Sequence, residues 1–452
     1  RAGRVREGFS YKLFSNRLYE EDMASMPAPE IKRVSLESLY LSVKAMGIKD
    51  VKQFLANGLD PPPLKALEKA GSMLTTVGLL NDYDSSLTEL GRFISLMPVM
   101  DSKHGKLLIY SNIFGVSDLG ILIASILSVG SSPFVGGFEN RDGIKKVMSK
   151  YENRGDLLAI TEIVNQYLQL DDKYKKNRFI KENLLSYNKI KDIMSARAQY
   201  YSILKDVGFL PFKNDQRLSE YLNRNQKNTD ILKAIITGAF YPNVARVQMP
   251  DTKYLSTSVG TIEKDAEAKS IKYWIRNEEY IDNLRNENKE DQTSNHLPAS
   301  RAFIHPSSVL FVSDTIDPLE ARTLSDEDQL QHKNSRVTTI FKSPFVVFNS
   351  SQLTNKLYLR DVTPTSTLSL LLLGGPIAYD VTGDGHSPGI VLDSWLPIRT
   401  WCKNGVLIKE LRSLLDQTIK AKLENPQYAS KSYSPSKADK ILKAVENILC
   451  IE

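Results

Sequence analysis

The chain is 452 residues long, 41% hydrophobic and 25% charged, the composition of a folded multidomain protein rather than a disordered or collagen-like one. Its net charge of +6 admits an anionic partner without requiring one, and its two cysteines, Cys402 and Cys450, exclude a disulfide framework and fit a reducing compartment. Apolar runs such as 368–373 fall far short of the roughly 18 residues of a membrane span, so a soluble intracellular protein is expected.

The opening stretch, Arg1-Ala2-Gly3-Arg4-Val5-Arg6-Glu7-Gly8-Phe9, sets two guanidinium groups three residues apart with only small side chains between them. Such a fork suits a polyphosphate, because each guanidinium is permanently charged and offers planar pairs of donors. No start methionine or targeting signal precedes Arg1, which predicts a piece of a longer chain. Tyr11-Lys12-Leu13-Phe14 reads as an apolar strand, and the prolines of 26–30 make an extended linker. Ser35 is expected to cap a helix with Leu36, Leu39, Tyr40, Val43 and Met46 on one face and Gly47 at its end. Asp60-Pro61-Pro62-Pro63 starts a second helix that runs to Gly78. A polar turn at 81–84 and a third helix to Pro98 complete a winged-helix pattern, which serves either as a nucleic-acid reader or as a structural brace.

Residues 106–129 read as a buried helical hairpin around Gly115, broken by Ser131-Ser132-Pro133-Phe134, and Gly155-Asp156 starts another helix. Between Lys173 and Lys205, Lys and Arg outnumber Asp and Glu 9 to 2, with Tyr174, Phe179, Tyr187, Tyr200 and Tyr201 interleaved. This stretch is either a solvated helical face over core aromatics or a phosphate-tracking wall for RNA. Near Phe240 the character changes to β. Segments 240–247, 271–275, 302–305, 308–311 and 345–348 are five short strands suited to a small barrel of OB type, interrupted by charged inserts at 277–295 and 313–335. Beyond them, 389–396 is strand-like, 403–423 is an amphipathic helix, and Pro435 can open a last short helix.

Taken in order, these stretches resemble the C-terminal half of the DExH/DEAH-box RNA helicases. Arg1-Ala2-Gly3-Arg4 with Val5-Arg6-Glu7-Gly8 is similar to the second half of their motif VI. Leu59-Asp60-Pro61-Pro62-Pro63 and Leu87-Thr88-Glu89-Leu90-Gly91 are similar to their winged helix. Gly155-Asp156-Leu157 and Arg197-Ala198-Gln199-Tyr200 are similar to their helical ratchet domain. Phe240-Tyr241-Pro242-Asn243-Val244-Ala245-Arg246, Phe303-Ile304-His305-Pro306-Ser307-Ser308-Val309-Leu310-Phe311 and Tyr358-Leu359-Arg360-Asp361-Val362-Thr363 are similar to their OB-fold. Residues 370–375 and 401–423 resemble the extension of the larger subgroup that includes RNA helicase A.

The resemblance implies a multidomain α+β chain: mostly helical winged-helix and ratchet domains, then a β-rich OB-fold and an α/β C-terminal extension. Its expected domains are the end of a RecA2 domain at 1–34, the winged helix at 35–98, the ratchet at 99–232, the OB-fold at 233–375 and the extension at 376–452. It implies arginine fingers at Arg1 and Arg4, and RNA contacts at Lys175, Lys176, Arg178, Arg197, Arg246, Ser307 and Arg360. It implies a parent enzyme that uses ATP and Mg2+ to move single-stranded RNA 3′ to 5′, in an intracellular setting, cytoplasmic rather than nuclear or nucleolar. The chain itself has no Gly-x-x-x-x-Gly-Lys-Ser/Thr loop, and Asp326-Glu327-Asp328-Gln329 fails the family's Asp-Glu-x-His box, so it is expected to bind no cofactor and hydrolyse nothing alone. No metal site is expected at His305 or the other scattered histidines. A monomer is expected, and the alternative reading is a non-catalytic docking platform for a glycine-patch activator or the ribosome.

Overall fold

The computed structural model describes residues 3, 5–24, 26–98, 101–130, 132–136, 138–151, 154–212, 216–249, 253–257, 260–264, 271–278, 298–311, 343–380, 389–424 and 437–451. Two compact units divide the chain, 1–74 and 75–452. The division falls inside one helix of the winged-helix pattern.

In the first unit, residues 11–14 are exposed and form no strand, contrary to expectation: no described strand lies beside them to take their backbone hydrogen bonds. Helix α1 (Glu37–Ala45) buries Tyr40, Leu41 and Val43; Leu36, not Ser35, occupies its N-cap, with no side-chain cap. A helix absent from the sequence reading follows, α2 (Val51–Ala56), whose first turn is held by Asp50 accepting from the Gln53 amide at 2.9 Å. One turn and a half carries too little periodicity to register in a hydrophobic pattern. Helix α3 (Leu64–Val77) buries Leu67, Ala70 and Leu74.

The second unit opens with an isolated bridge between Leu80 and Leu87, then α4 (Glu89–Leu96), which is capped by the Thr88 hydroxyl accepting from the Gly91 amide at 3.0 Å. Any Cβ at Gly91 would lie 2.2 Å from the Leu79 carbonyl, so only glycine allows that approach. The expected hairpin is α5 (Ser102–Ile113) and α6 (Ser117–Ser128). After it come α7 (Arg141–Ser149), α8 (Asp156–Leu168), α9 (Lys173–Glu182), α10 (Tyr187–Asp206), α11 (Gln216–Leu222) and α12 (Thr229–Phe240). Helix α12 escaped the sequence reading because it is buried nearly all round, from Ile231 to Phe240, so its apolar run has no polar face to reveal a helical period.

Five strands close a barrel in the order β1 (Val244–Gln248), β4 (Lys272–Arg276), β5 (Ala299–Ile304), β7 (Leu357–Thr365), β6 (Phe345–Leu353), with β2 (Lys253–Thr257) and β3 (Gly260–Lys264) a separate hairpin between β1 and β4. All pairings are antiparallel except β5 with β7, the arrangement of an OB barrel. The expected strand at 308–311 is instead a turn, Ser308 donating its amide to the His305 carbonyl at 2.9 Å; the fifth strand is β7. The barrel interior is not a separate core. Val247, Tyr273, Ile304 and Leu359 join Leu122, Ile126, Ile163 and Ile193 of the helices in one cluster. Each such side chain is worth about 1.5–3 kcal/mol when buried, so helices and barrel stabilise each other.

The extension consists of α13 (Thr367–Leu373), an antiparallel sheet ordered β10 (Leu396–Arg399), β9 (Gly389–Leu392), β8 (Ile377–Asp380), and two helices, α14 (Cys402–Glu424) and α15 (Lys437–Leu449). Arg276 of β4 makes a buried ion pair with Asp393 of the β9–β10 turn, and Asp393 also accepts from the Tyr241 hydroxyl at 2.8 Å. Arg224 reaches Glu446 of α15 at 2.5 Å. Arg1, Arg4, most of both charged inserts and Pro435 lie outside the described residues.

Candidate nucleic-acid interface

The first turn of α8 and strand β7 meet closely at Gly155 (φ +83°), where a Cβ would lie 2.6 Å from the Val362 carbonyl and 2.8 Å from Thr363 Cα. Asp156 follows, buried, and each of its carboxylate oxygens accepts one backbone N–H: Val309 at 2.7 Å and Val362 at 2.9 Å. Burial pushes its carboxyl up to about 6, against the pull of these hydrogen bonds. The Gly-Asp pair therefore joins α8 to two parts of the barrel.

Above this joint lies a cavity of about 1020 Å3, walled by the end of α6, the 130–136 segment, α7 and the start of α8 on one side. The 305–311 turn, Asn349 and Ser350 of β6, and Arg360 and Asp361 of β7 form the other wall. The walls present Arg141, Lys145, Arg360, His305 and the exposed Ser307 hydroxyl. The Arg360 guanidinium is held by two neutral acceptors, Gln352 Oε1 at 3.1 Å and His305 Nε2 at 3.0 Å. Arginine can only donate, so Nε2 is the acceptor of that contact, and Nδ1 lies 2.7 Å from Ser307 Oγ and 3.2 Å from the Ser307 amide nitrogen. Burial, then the charges of Arg360 and Arg141, hold the imidazole below its ordinary pKa and hence neutral at pH 7. Of the carboxylates that line the cleft, Asp156 is occupied by the two amides and Asp361 by the Asn349 side-chain amide at 3.2 Å, while Asp142 of α7 adds a third. Among the described residues, neither Arg360 nor Arg141 meets a carboxylate. Cations held by neutral groups in a cleft are the arrangement that phosphate oxygens neutralise.

Of the residues singled out in the sequence, Ser307 and Arg360 share this cleft. Arg246 does not: it lies on the outer face of β1, opposite Trp274, beside a smaller hollow of about 280 Å3 that Trp395 and Leu396 also line. Lys175, Lys176 and Arg178 are on α9, away from the cleft walls; Arg178 holds Glu182 at 2.6 Å, and Lys176 lies 5.7 Å from the Tyr167 ring centroid. Arg197 of α10 donates to the Tyr201 hydroxyl at 3.3 Å, which in turn donates to Asp118 of α6 at 2.5 Å. The sequence reading missed Arg141 and Lys145, which stand in no motif, and assigned His305 no role. No local signal could have found them, because the groups they face come from other parts of the chain. Among the described residues no group of three or more His, Cys, Asp or Glu side chains is placed to hold a metal ion.

Three family profiles match stretches of the chain: the ratchet-like helicase-associated domain over residues 101–160, an oligonucleotide/oligosaccharide-binding fold over 232–377, and the C-terminal domain in RNA helicases over 389–450. A protein of Saccharomyces cerevisiae named as a candidate ATP-dependent RNA helicase is 62% identical over 461 residues, covering 100% of this chain and 32% of that protein. A protein of Mycosarcoma maydis named as a candidate DEAH-box helicase is 30% identical, over 94% of this chain and 26% of its own length. The ATP-dependent RNA helicase dhx29 of Xenopus laevis is 25% identical, over 100% of this chain and 28% of its own length. The chain thus spans about a third or less of the length of these relatives.

Proposed function

Because this chain belongs to the C-terminal, helicase-associated region of the DExH-box RNA helicases, we propose that its cleft holds single-stranded RNA while the parent enzyme hydrolyses ATP. The observation that carries this reading is the Arg360–His305–Ser307 group facing Arg141 across the cleft, where among the described residues neither arginine meets a carboxylate. Phosphates of a strand drawn between ratchet helices and barrel would supply Arg141 and Arg360 with a counter-charge. Such contacts carry no base information, so binding is sequence-tolerant. The joint at Gly155 and Asp156 keeps the two walls in fixed relation, so a force transmitted through the helices reaches the RNA rather than opening the cleft.

In the parent, Arg1 and Arg4 act as arginine fingers on the γ-phosphate of a Mg2+-bound ATP held by upstream domains, and hydrolysis drives RNA unwinding or the remodelling of RNA–protein complexes in the cytoplasm. The sequence of this region has no phosphate loop, so hydrolysis is assigned to the upstream domains and the region alone is expected to show none. The experiment is single-stranded RNA binding by the 452-residue chain as a function of salt. A measurable affinity that weakens as salt rises supports the reading. An affinity indistinguishable from that of a non-binding control would leave a protein-docking platform as the better account.

A further inference from the structure

His305 stands in the cleft among more hydrogen-bond donors than a neutral imidazole can accept. Its backbone is fixed where β5 ends, the His305 amide donating to the Leu359 carbonyl of β7 at 3.0 Å. The Arg360 guanidinium approaches ring Nε2 at 3.0 Å and can only donate. The Ser307 amide, also only a donor, lies 3.2 Å from Nδ1, and the Ser307 hydroxyl, able to play either part, lies 2.7 Å from it. A neutral imidazole has one lone pair for these two obligatory donors, and an imidazolium has none. The geometry of the RNA-free cleft thus opposes a second proton on the ring.

The surroundings act in the same direction. Burial, then Arg360 of β7 and Arg141 of α7, all disfavour the imidazolium. Strand β7 also carries Tyr358, which meets the ring edge-on at 5.7 Å, and Asp361, engaged by the Asn349 side-chain amide at 3.2 Å. Gln352 of β6 is neutral and accepts from Arg360 Nε at 3.1 Å. From α7, Lys145 reaches the Phe311 carbonyl at 3.4 Å and Asp142 lines the cleft. From α8, Asp156 is taken by the Val309 and Val362 amides. Among the described residues no carboxylate meets the ring. A phosphodiester reverses this balance. Its oxygens accept the Arg360 N–H groups in place of Nε2, accept from a protonated ring nitrogen as well, and favour the imidazolium by their charge.

We propose that His305 takes up a proton from solvent as a strand enters the cleft, so that the grip on RNA tightens as pH falls. This proton link rests on the reading of the cleft as an RNA site and adds to it a control by pH. The phosphates raise the proton affinity of the ring by the same factor as the proton raises the affinity for RNA. The sign is fixed by which state holds the proton more tightly. That state is the complex, so affinity rises as pH falls through the ordinary histidine range and levels off once the free ring is protonated too. No bond in the RNA is made or broken.

The test titrates the full 452-residue chain with oligouridine at fixed salt between about pH 8 and about pH 5.5, a range in which uracil does not ionise. Affinity should rise about three- to tenfold across that range, the effect of up to about one pKa unit on a single proton. Calorimetry near pH 6.5 in two buffers of unequal ionisation enthalpy should show a fraction of a proton taken up per RNA bound. His305→Gln keeps an acceptor for Arg360 but cannot titrate, so the rise should shrink to less than about twofold and the uptake should vanish. His305→Asn, with its acceptor on the Ser307 side, replaces it if the Gln variant fails to fold by circular dichroism; the wild-type uptake needs no variant at all. Arg141→Ala with Arg360→Ala separates the two readings. If that pair binds RNA as wild type at pH 8, the cleft reading falls and the proton link with it. If the pair weakens binding but the wild type takes up no proton, the link alone is overturned. It is overturned as well if the His305 variant keeps the full pH dependence, which would then belong to Asp156, whose carboxyl burial raises to about 6.

Discussion

Asp156 and Val362 are 206 residues apart in sequence, yet the Val362 amide donates to the Asp156 carboxylate at 2.9 Å. With the second bond from Val309, that contact makes one residue at the start of α8 the acceptor for two separate barrel segments. The relative placement of the cleft walls depends on it.

Asp156→Ala leaves two buried amides without acceptors and should cost about 2–4 kcal/mol, while Asp156→Asn, which keeps one acceptor oxygen, costs less. The pH dependence has a definite sign. Burial raises the folded carboxyl to about 6 from an ordinary value of 3.8, so the folded state holds its proton longer than the unfolded state. Stability from this group is present below about pH 4 and declines as pH rises to about 6, by up to about 3 kcal/mol. Denaturant titrations at several pH values check it. An Asp156→Asn protein with the same decline would assign the effect elsewhere.

Lys106 of α5 is buried with its ammonium donating to the Val77 carbonyl at 3.0 Å. Burial, and then the charge of Arg412, pushes it down to about 7 from 10.5. The unfolded chain binds that proton more tightly, so stability is lost as pH falls from about 10 to about 7. Lys106→Met keeps the apolar stem and removes the buried charge. Thermal melts should show a variant at least as stable as wild type at pH 6 and no gain between pH 7 and 10. A marked loss of stability at pH 6 would mean that the bond to Val77 outweighs the burial cost.

Arg276 and Asp393 tie the barrel to the extension through a buried ion pair. Arg276→Ala strands the Asp393 carboxylate and should destabilise by about 3–5 kcal/mol, whereas replacing both residues by apolar ones should cost much less. Additive losses in that double-mutant cycle would contradict a direct coupling.

Arg141→Ala with Arg360→Ala should lower single-stranded RNA affinity and reduce the salt slope by about 1.4, at about 0.7 per phosphate. Lys175→Ala, Lys176→Ala and Arg178→Ala together are expected to act less, since α9 does not wall the cleft. An affinity and slope unchanged in that triple variant would make α9 a solvated face. A larger effect there than in the cleft pair would move the RNA path onto α9.

In the intact parent, Arg4→Ala should cut ATP hydrolysis by about 10³–10⁵-fold and spare RNA binding, which a steady-state ATPase assay beside a binding isotherm resolves. An active Arg4→Ala enzyme would leave the Arg1–Arg4 fork a structural loop.

Much of the architecture was legible because it is written in local chemistry. Proline at 61–63, the glycines at 78 and 115 and the alternation of 271–275 each restrict backbone angles or mark a face without reference to distant residues. The long amphipathic helix α14 was read to within a residue of its ends for the same reason. Helix α12 was not, since burial on all sides erases its period, and residues 308–311 were apolar enough for a strand but had their amides engaged by Asp156 and their own turn. The motif order by itself pointed to the family and the α+β class, and it singled out Arg360 as a candidate cation. Which cations act together was decided only by closure of the barrel. Arg360 and His305 meet because β5 and β7 pair in parallel, Arg141 lines the same cleft because α7 shares a core with α8, which Asp156 fixes to β7, and Arg246 is turned to another face by its register with Trp274. A side chain's partners are set by long-range pairing, and no spacing along the chain records that.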